Sequence, residues 1–205
     1  MTNNYLSTMT LFMAVFILLA VSGCTSPAPS SPVVVPSPVP TPGLSTVSPA
    51  EMALQPSDLP GNFTLLEKGE RNASHMRDWA IDHGWKRGYY ADYVKTEGDV
   101  SEGTVFEQVI SVYTAENITL IVPDTINTWK SWPAVDSNVT VEEISLPTIG
   151  DSSHAMIASD RSDNTRMYTI AFVKYDVYEQ FLTNGTETDF ETLRQMAETA
   201  AAKIR

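Results

Sequence analysis

The sequence predicts an α+β domain: a curved antiparallel β-sheet of about six to seven strands with packed helices, and a C-terminal helix on the sheet. Three observations carry that expectation. Seven short stretches between Phe63 and Leu182 are apolar or alternate apolar with polar, as strands do. The last four are joined by short connections, and strands joined by tight turns must be antiparallel. The chain then closes on an Ala-rich segment with a helical apolar stripe. With 42% hydrophobic and 19% charged residues, the 205-residue chain can bury a core, and wholesale disorder is excluded.

The elements follow in order. Ser48-Pro49-Ala50-Glu51 combines an N-cap, a proline at the first helical position and an acid at the third, so a short helix is expected as far as Leu54, before Pro56. Phe63 to Glu67 reads as a strand. Ser74 to His83 places Met76, Trp79, Ala80 and His83 at helical spacing, with Gly84 as a stop. Trp85 to Val94 alternates, with Trp85, Arg87, Tyr89, Ala91 and Tyr93 on one side. Val105 to Tyr113 completes a hairpin with it. Glu116 to Trp132 reads as a helix that Pro123 kinks or restarts. Val139 to Ile144, Ala155 to Ser159, Arg166 to Lys174 and Val177 to Leu182 read as strands. Thr188 to Glu191 is a capping box that opens a helix to about Ile204, with Phe190, Leu193, Ala197, Ala200 and Ile204 as its stripe.

Charge and composition divide the chain into three zones. Residues 1–50 contain no Asp, Glu, Lys, Arg or His, so the formal charge of −12 belongs wholly to residues 51–205. Residues 1–23 read as a signal peptide. An unbroken apolar run from Leu11 to Val21 is shorter than the about 20 residues of a spanning helix and fits the about 7–15 of a secretory core. Val21-Ser22-Gly23-Cys24 resembles the lipobox of exported lipoproteins, which makes Cys24, the only cysteine, the lipidation site and membrane lipid its partner. No Lys or Arg precedes the run, unlike most export signals, and an uncleaved anchor from Tyr5 to Gly23 is the rival. Either reading puts the rest of the chain at the cell membrane, facing outside. Residues 24–48 are the lipidated Cys and a Pro/Ser/Thr-rich stalk. At about 3.1 Å per residue in polyproline II, Pro27 to Pro42 spans roughly 50 Å. Residues 49–205 form a single domain.

The acidic balance argues against nucleic acid, whose phosphates require Lys and Arg. One cysteine excludes an internal disulfide and a multi-cysteine zinc site. Five of the seven Asn in residues 51–205 begin Asn-x-Ser/Thr: Asn62, Asn72, Asn117, Asn138 and Asn184. They are candidate glycosylation sites on an exported surface, although Asn and Thr also suit turns. Sequons on an acidic lipoprotein with a Pro/Thr stalk resemble an archaeal cell-surface protein.

Two short motifs carry a further resemblance. Asp58-Leu59-Pro60-Gly61-Asn62-Phe63 is similar to the opening of several lipoprotein domains. Leu146-Pro147-Thr148-Ile149-Gly150-Asp151-Ser152 is similar to a later segment of theirs. Followed by Ile170 to Lys174, a tight turn, a strand and a terminal Ala-rich helix, they resemble the PsbP-like and LpqN-like group. That resemblance implies an α/β sandwich with a non-enzymatic binding or accessory role, and it transfers no catalytic residues.

Candidate chemistry is sparse. His75, Asp78 and Asp82 would share one face of a helix, where a solvated polar face competes with a metal site, so no metal site is assigned. Asp151, Ser152, Ser153 and His154 contain the residue types of a hydrolase triad, but adjacent residues do not form one and no Gly-x-Ser-x-Gly elbow exists. Asp160 to Asn164 offers oxygens suited to calcium but lacks the EF-hand glycine and glutamate, and reads as a turn. There is no phosphate-binding glycine loop and no HExxH, so no cofactor and no catalytic residue is expected. Trp85, Tyr89 and Tyr93, with Trp129 and Trp132, are either sheet core or the lining of a cleft for an apolar ligand, a glycan or a partner. The expectation is a non-catalytic binding, sensory or accessory domain. A structural envelope component and a surface hydrolase are the alternatives.

Overall fold

A computed structural model describes residues 43–60, 63–95, 104–162, 164–184 and 190–205. The signal peptide, Cys24, most of the stalk, Asn62 and the Thr188 capping box lie outside the described residues.

The architecture is the α+β one expected. Seven strands, β1 (Phe63–Arg71), β2 (Arg87–Lys95), β3 (Thr104–Val112), β4 (Val139–Ile144), β5 (Ser152–Asp160), β6 (Arg166–Lys174) and β7 (Val177–Asn184), form one sheet ordered β1-β2-β3-β7-β6-β5-β4. Every pairing is antiparallel. Two meanders, β1 to β3 and β4 to β7, join where β7 pairs with β3, from Val105 opposite Asn184 to Val112 opposite Val177. Among the described residues four α-helices complete the fold: α1 (Pro49–Met52), α2 (Asp78–Asp82), α3 (Ile118–Val135) and α4 (Phe190–Lys203).

Strand parity sorts the side chains onto two buried faces. The first face carries Ala91 and Tyr93 from β2, Phe106 and Ile110 from β3, Ile170 and Phe172 from β6 and Phe181 from β7. It is covered by Met52 and Leu54 at α1 and by Leu193, Met196, Ala197 and Ala200 of α4, with Ile204 just beyond. The second face carries Ala171, Val173 and Tyr178 beneath Ile118, Ile121 and Val122 of α3 and Ala80 of α2. Farther along, Trp129 of α3 packs on Val139, Met156 and Ala158. The sheet is therefore the middle of three layers.

Local departures from the expected elements have local causes. The helix expected from Ser74 to His83 is broken: Asn72 accepts the Ser74 N–H at 3.0 Å and caps a 3-10 turn (Ala73–His75), and Arg77 is extended before α2 begins. α3 runs through both Pro123 and Pro133, starting at Ile118 and ending at Val135. β1 continues to Arg71, past Glu67, and its register shifts between Leu65 and Glu67. That bulge reverses parity. Phe63 and Leu65 pack on the first-face core, whereas Glu67, Gly69 and Arg71 stand opposite Asp92, Tyr90 and Gly88 on the second face.

The chain enters this unit at a fixed place. The Ser45 N–H donates to Asp176 Oδ1 at 2.7 Å, and the Thr46 N–H donates to the Arg205 carbonyl at 2.8 Å. Composition assigns these residues to the stalk, yet they are fastened to the β6–β7 turn and to the C-terminus. α1 then forms as its cap requires, with the Glu51 carboxylate accepting the Ser48 N–H at 3.1 Å and the Ser48 hydroxyl at 2.6 Å.

Candidate functional site

α3 lies over β4 to β7, and α2 is only five residues long. Between them the second face is incompletely covered, leaving a cleft of about 680 Å³. Its floor is β3 and β7, through Glu107, Val109, Ser111, Gln180 and Leu182, with Tyr113 and Tyr178 at the inner end. α3 supplies one wall with Ile121, Asp124, Thr125, Thr128 and Trp129. Arg71 and the His75 to Ala80 segment complete the lining.

Hydrogen bonds fix the walls. Trp79 Nε1 donates to Asp124 Oδ2 at 3.1 Å, while the Trp79 ring stacks on His83 with centroids 4.5 Å apart. His83 Nε2 lies 3.7 Å from the same carboxylate oxygen. Asp124 thus ties α2 to α3. The Thr125 hydroxyl donates to the Ile121 carbonyl at 3.0 Å and lies 2.9 Å from the Tyr178 hydroxyl. Burial raises the Tyr178 phenol and pushes the Tyr113 phenol up to about 12, so both remain neutral donors.

Carboxylates collect on the open part of the same face. Glu67, Asp92 and Glu107 stand directly opposite one another across β1, β2 and β3. Desolvation raises the Asp92 carboxyl first, with the Glu67 charge adding to it. Desolvation and then Asp92 raise that of Glu107, opposed by the Arg71 guanidinium. Among the described residues no group of three or more His, Cys, Asp or Glu is arranged to hold a metal ion.

The five aromatic residues offered as sheet core or cleft lining belong mainly to the core. Tyr93 is fully buried on the first face, its hydroxyl donating to the Leu54 carbonyl at 2.7 Å. Tyr89 packs on the same core. Trp85 precedes β2, so strand parity does not reach it, and it belongs with the second-face cluster. Its indole lies on Gly88, where a Cβ would come within 3.3 Å of the ring, and Nε1 donates to Ser111 Oγ at 3.3 Å. Trp129 and Trp132 meet edge to face at 5.7 Å, and of the five it is Trp129 that lines the cleft. Sequence reasoning missed Arg71, Trp79, Asp124 and Gln180 as cleft residues. Trp79 was visible as an aromatic on a short helix, whereas Arg71 reaches this face only because of the β1 bulge.

The remaining candidates are spent elsewhere. The Ile149 N–H donates to Ser153 Oγ at 2.9 Å, and the Tyr175 N–H donates to Asp151 Oδ2 at 2.7 Å. Ser153 and His154 are consecutive in β5 and face opposite sides of the sheet, so no triad assembles. Gly150, at φ +65°, lies so close to β6 that a Cβ would stand 2.3 Å from the Val173 carbonyl oxygen. Leu146 to Ser152 is therefore a joint between the β4–β5 connection and the β6–β7 turn. Asp58 likewise accepts from the Gln55 N–H and from Lys203 Nζ, both at 2.8 Å. His75 lies in the 3-10 turn, apart from α2 with Asp78 and Asp82, so the shared helical face does not exist. Asp160 Oδ1 accepts both the N–H and the hydroxyl of Ser162 at 2.7 Å, closing the β5–β6 turn on itself. Among the sequons, Asn72 and Asn138 are exposed, whereas Asn117 donates through Nδ2 to the His83 carbonyl at 3.2 Å. Asn184 ends β7.

The fold defines a class: an antiparallel sheet layered between helices, with an open cleft on one face. The extracellular domain of PknH from Mycobacterium tuberculosis is similar in fold, with a TM-score of 0.56 at 9% identity, across 77% of this chain and 96% of that one. No family model matches the chain, and no curated protein matches it. Among the described residues no helix is long and apolar enough to cross a membrane.

Proposed function

We propose that this protein is a lipid-anchored extracytoplasmic domain that binds a small ligand in the cleft between α2, α3 and the sheet, without catalysis. The observation that carries the reading is the cleft itself, a volume of about 680 Å³ walled by two indoles and by amides and hydroxyls. The serine and acid residues that might have suggested hydrolysis are spent as structural joints. The leader, Cys24 and the proline-rich stalk support export and anchoring. A fold neighbour described as an extracellular domain is consistent with that placement. The resemblance to the PsbP-like and LpqN-like group rests on its two short motifs and supports the same non-catalytic role.

The test is thermal denaturation against a library of lipids, glycans and small organic acids, for the native protein and for Thr128→Trp. Thr128 is exposed at the cleft wall, so an indole there fills the space without disturbing the core. A specific ligand at 100 times its dissociation constant adds about 2.7 kcal/mol of stability. The expected result is a shift with the native protein that Thr128→Trp abolishes. A shift that survives the substitution, or none across the library, refutes the cleft as the binding site.

A further inference from the structure

The cleft holds a cation that forms no direct ion pair among the described residues. Arg71 ends β1 on the second face, half-buried at one end of the cleft. Among the described residues it makes no salt bridge and no side-chain hydrogen bond. Its guanidinium is nonetheless close enough to the floor to favour the ionised forms of Glu107, Tyr113 and the buried Tyr178, against the larger effect of burial. It therefore lies over the cleft floor and does not swing free in solvent.

The acids nearby do not pair with it directly. Asp124, on the opposite wall, is engaged by Trp79 and His83. Glu107, on the floor, feels the Arg71 charge but forms no salt bridge with it. Arg77 and His75, both exposed at the mouth, add positive or protonatable groups at the same end. Beyond Arg71 the lining turns apolar, through Val109, Ile121, Trp129 and Leu182. A planar guanidinium matches a carboxylate or a phosphate with paired hydrogen bonds, and an apolar trough beside it matches a hydrocarbon or aromatic body.

We propose that the cleft takes an anionic amphiphile, its carboxylate or phosphate head held by the Arg71 guanidinium and its apolar body laid between α3 and the β3–β7 floor. The assignment rests on the cleft being a binding site and goes further by fixing the chemistry of the ligand.

Four probes that share one ring system and differ in head group test it: 1-naphthylacetate, 1-naphthyl phosphate, 1-naphthaleneethanol and 1-naphthylmethylammonium. Binding is measured by calorimetry with the full protein in phosphatidylcholine nanodiscs, and protein-free nanodiscs correct for partitioning. Both anions are expected to bind saturably, at least tenfold more tightly than the alcohol, with the ammonium probe weakest. Arg71→Gln is expected to reduce the anions to the affinity of the alcohol and leave the alcohol unchanged. Arg71→Lys, which keeps charge but loses the fork, is expected to hold the phosphate better than the carboxylate. Added salt weakens anion binding by the native protein more than by Arg71→Gln. Circular dichroism verifies that each variant is folded.

If the alcohol binds as tightly as the anions and Arg71→Gln changes nothing, the head-group assignment is overturned while the cleft remains a binding site. If none of the four probes binds but a library compound does so in a way that Thr128→Trp abolishes, the anionic class is overturned and the cleft stands. Anion binding that Thr128→Trp leaves intact places the site outside the cleft and overturns both.

Discussion

Glu179 gives the sharpest test of the packing. It projects from β7 into the first face, wholly buried beneath α1 and α4. One carboxyl oxygen accepts from Gln108 Nε2 at 2.9 Å, and the other has no partner. Gln108 in turn accepts the Leu54 N–H at 2.9 Å, with the Tyr93 hydroxyl at 3.3 Å. Lys203 is the nearby cation, but its ammonium bonds to the Ala53 carbonyl at 2.9 Å and to Asp58 at 2.8 Å. Burial therefore dominates and pushes the Glu179 carboxyl from its ordinary 4.5 up to about 8, against the smaller opposing effects of Gln108 and then Lys203.

The sign follows from proton counting. Between pH 4.5 and about 8 the native chain keeps this proton and the unfolded chain has lost it, so stability falls as pH rises and levels off above the folded value. Each pH unit in that window is worth about 1.4 kcal/mol, which sets a ceiling of about 5 kcal/mol for the whole window. Glu179→Gln keeps the shape and the oxygen that Gln108 needs, and it removes the titration. Urea unfolding followed by tryptophan fluorescence, run from pH 4.5 to 9 on both proteins, isolates the effect. Asp92 and Glu107, whose carboxyls are also raised, cancel in the difference between the two curves. The variant is expected to match the native protein near pH 4.5 and to be several kcal/mol more stable at pH 8. A flat difference across that window would refute a neutral buried Glu179. A variant less stable at pH 8 would show instead that the native carboxylate is ionised and held by Lys203.

Other expectations are more local. Leu193→Ala, at a fully buried position of α4, should cost about 2–5 kcal/mol, read as a lower urea midpoint with an unchanged slope. Gly150→Ala should cost more than the about 1–2 kcal/mol typical of a left-handed L-residue, because its Cβ also meets the Val173 carbonyl; a smaller loss in the same urea assay would count against that clash. Glycopeptide mass spectrometry of protein from its native host should find glycan on the exposed Asn72 or Asn138 and none on Asn117, whose amide is bonded to the His83 carbonyl. Intact-mass measurement of membrane-extracted protein should show a chain beginning at a lipidated Cys24; a free thiol in a chain still bearing Met1 would leave the uncleaved anchor in its place.

What the sequence disclosed and what it hid divide along the range of the forces involved. The α4 stripe was legible because helical periodicity is local: Leu193, Ala197, Ala200 and Ile204 are all buried, and Phe190 packs at the edge of the same core. β6 and β7 were legible for a similar reason, since apolar runs bounded by a two-residue turn admit few alternatives. The break before α2 was hidden by its residue types, because Met76, Trp79 and Ala80 keep helical spacing across a segment that a single Asn72 cap diverts into a 3-10 turn. The cleft was hidden more deeply. It needs Arg71 turned over by a bulge earlier in β1, Gln180 and Leu182 brought beside Glu107 and Val109 by a pairing that spans more than seventy residues, and α3 laid across strands that come after it in sequence. No local pattern encodes such a convergence. The motifs that carry the resemblance, around Asp58 and around Gly150, are instead short segments fixed by the Asp58 carboxylate and by the Asp151 N–H. They hold the α1 entry and the β4–β5 connection against the far end of the chain. Recognisable motifs in this fold therefore report how the layers are fastened, whereas the cleft is lined from strand and helix positions far apart in the sequence.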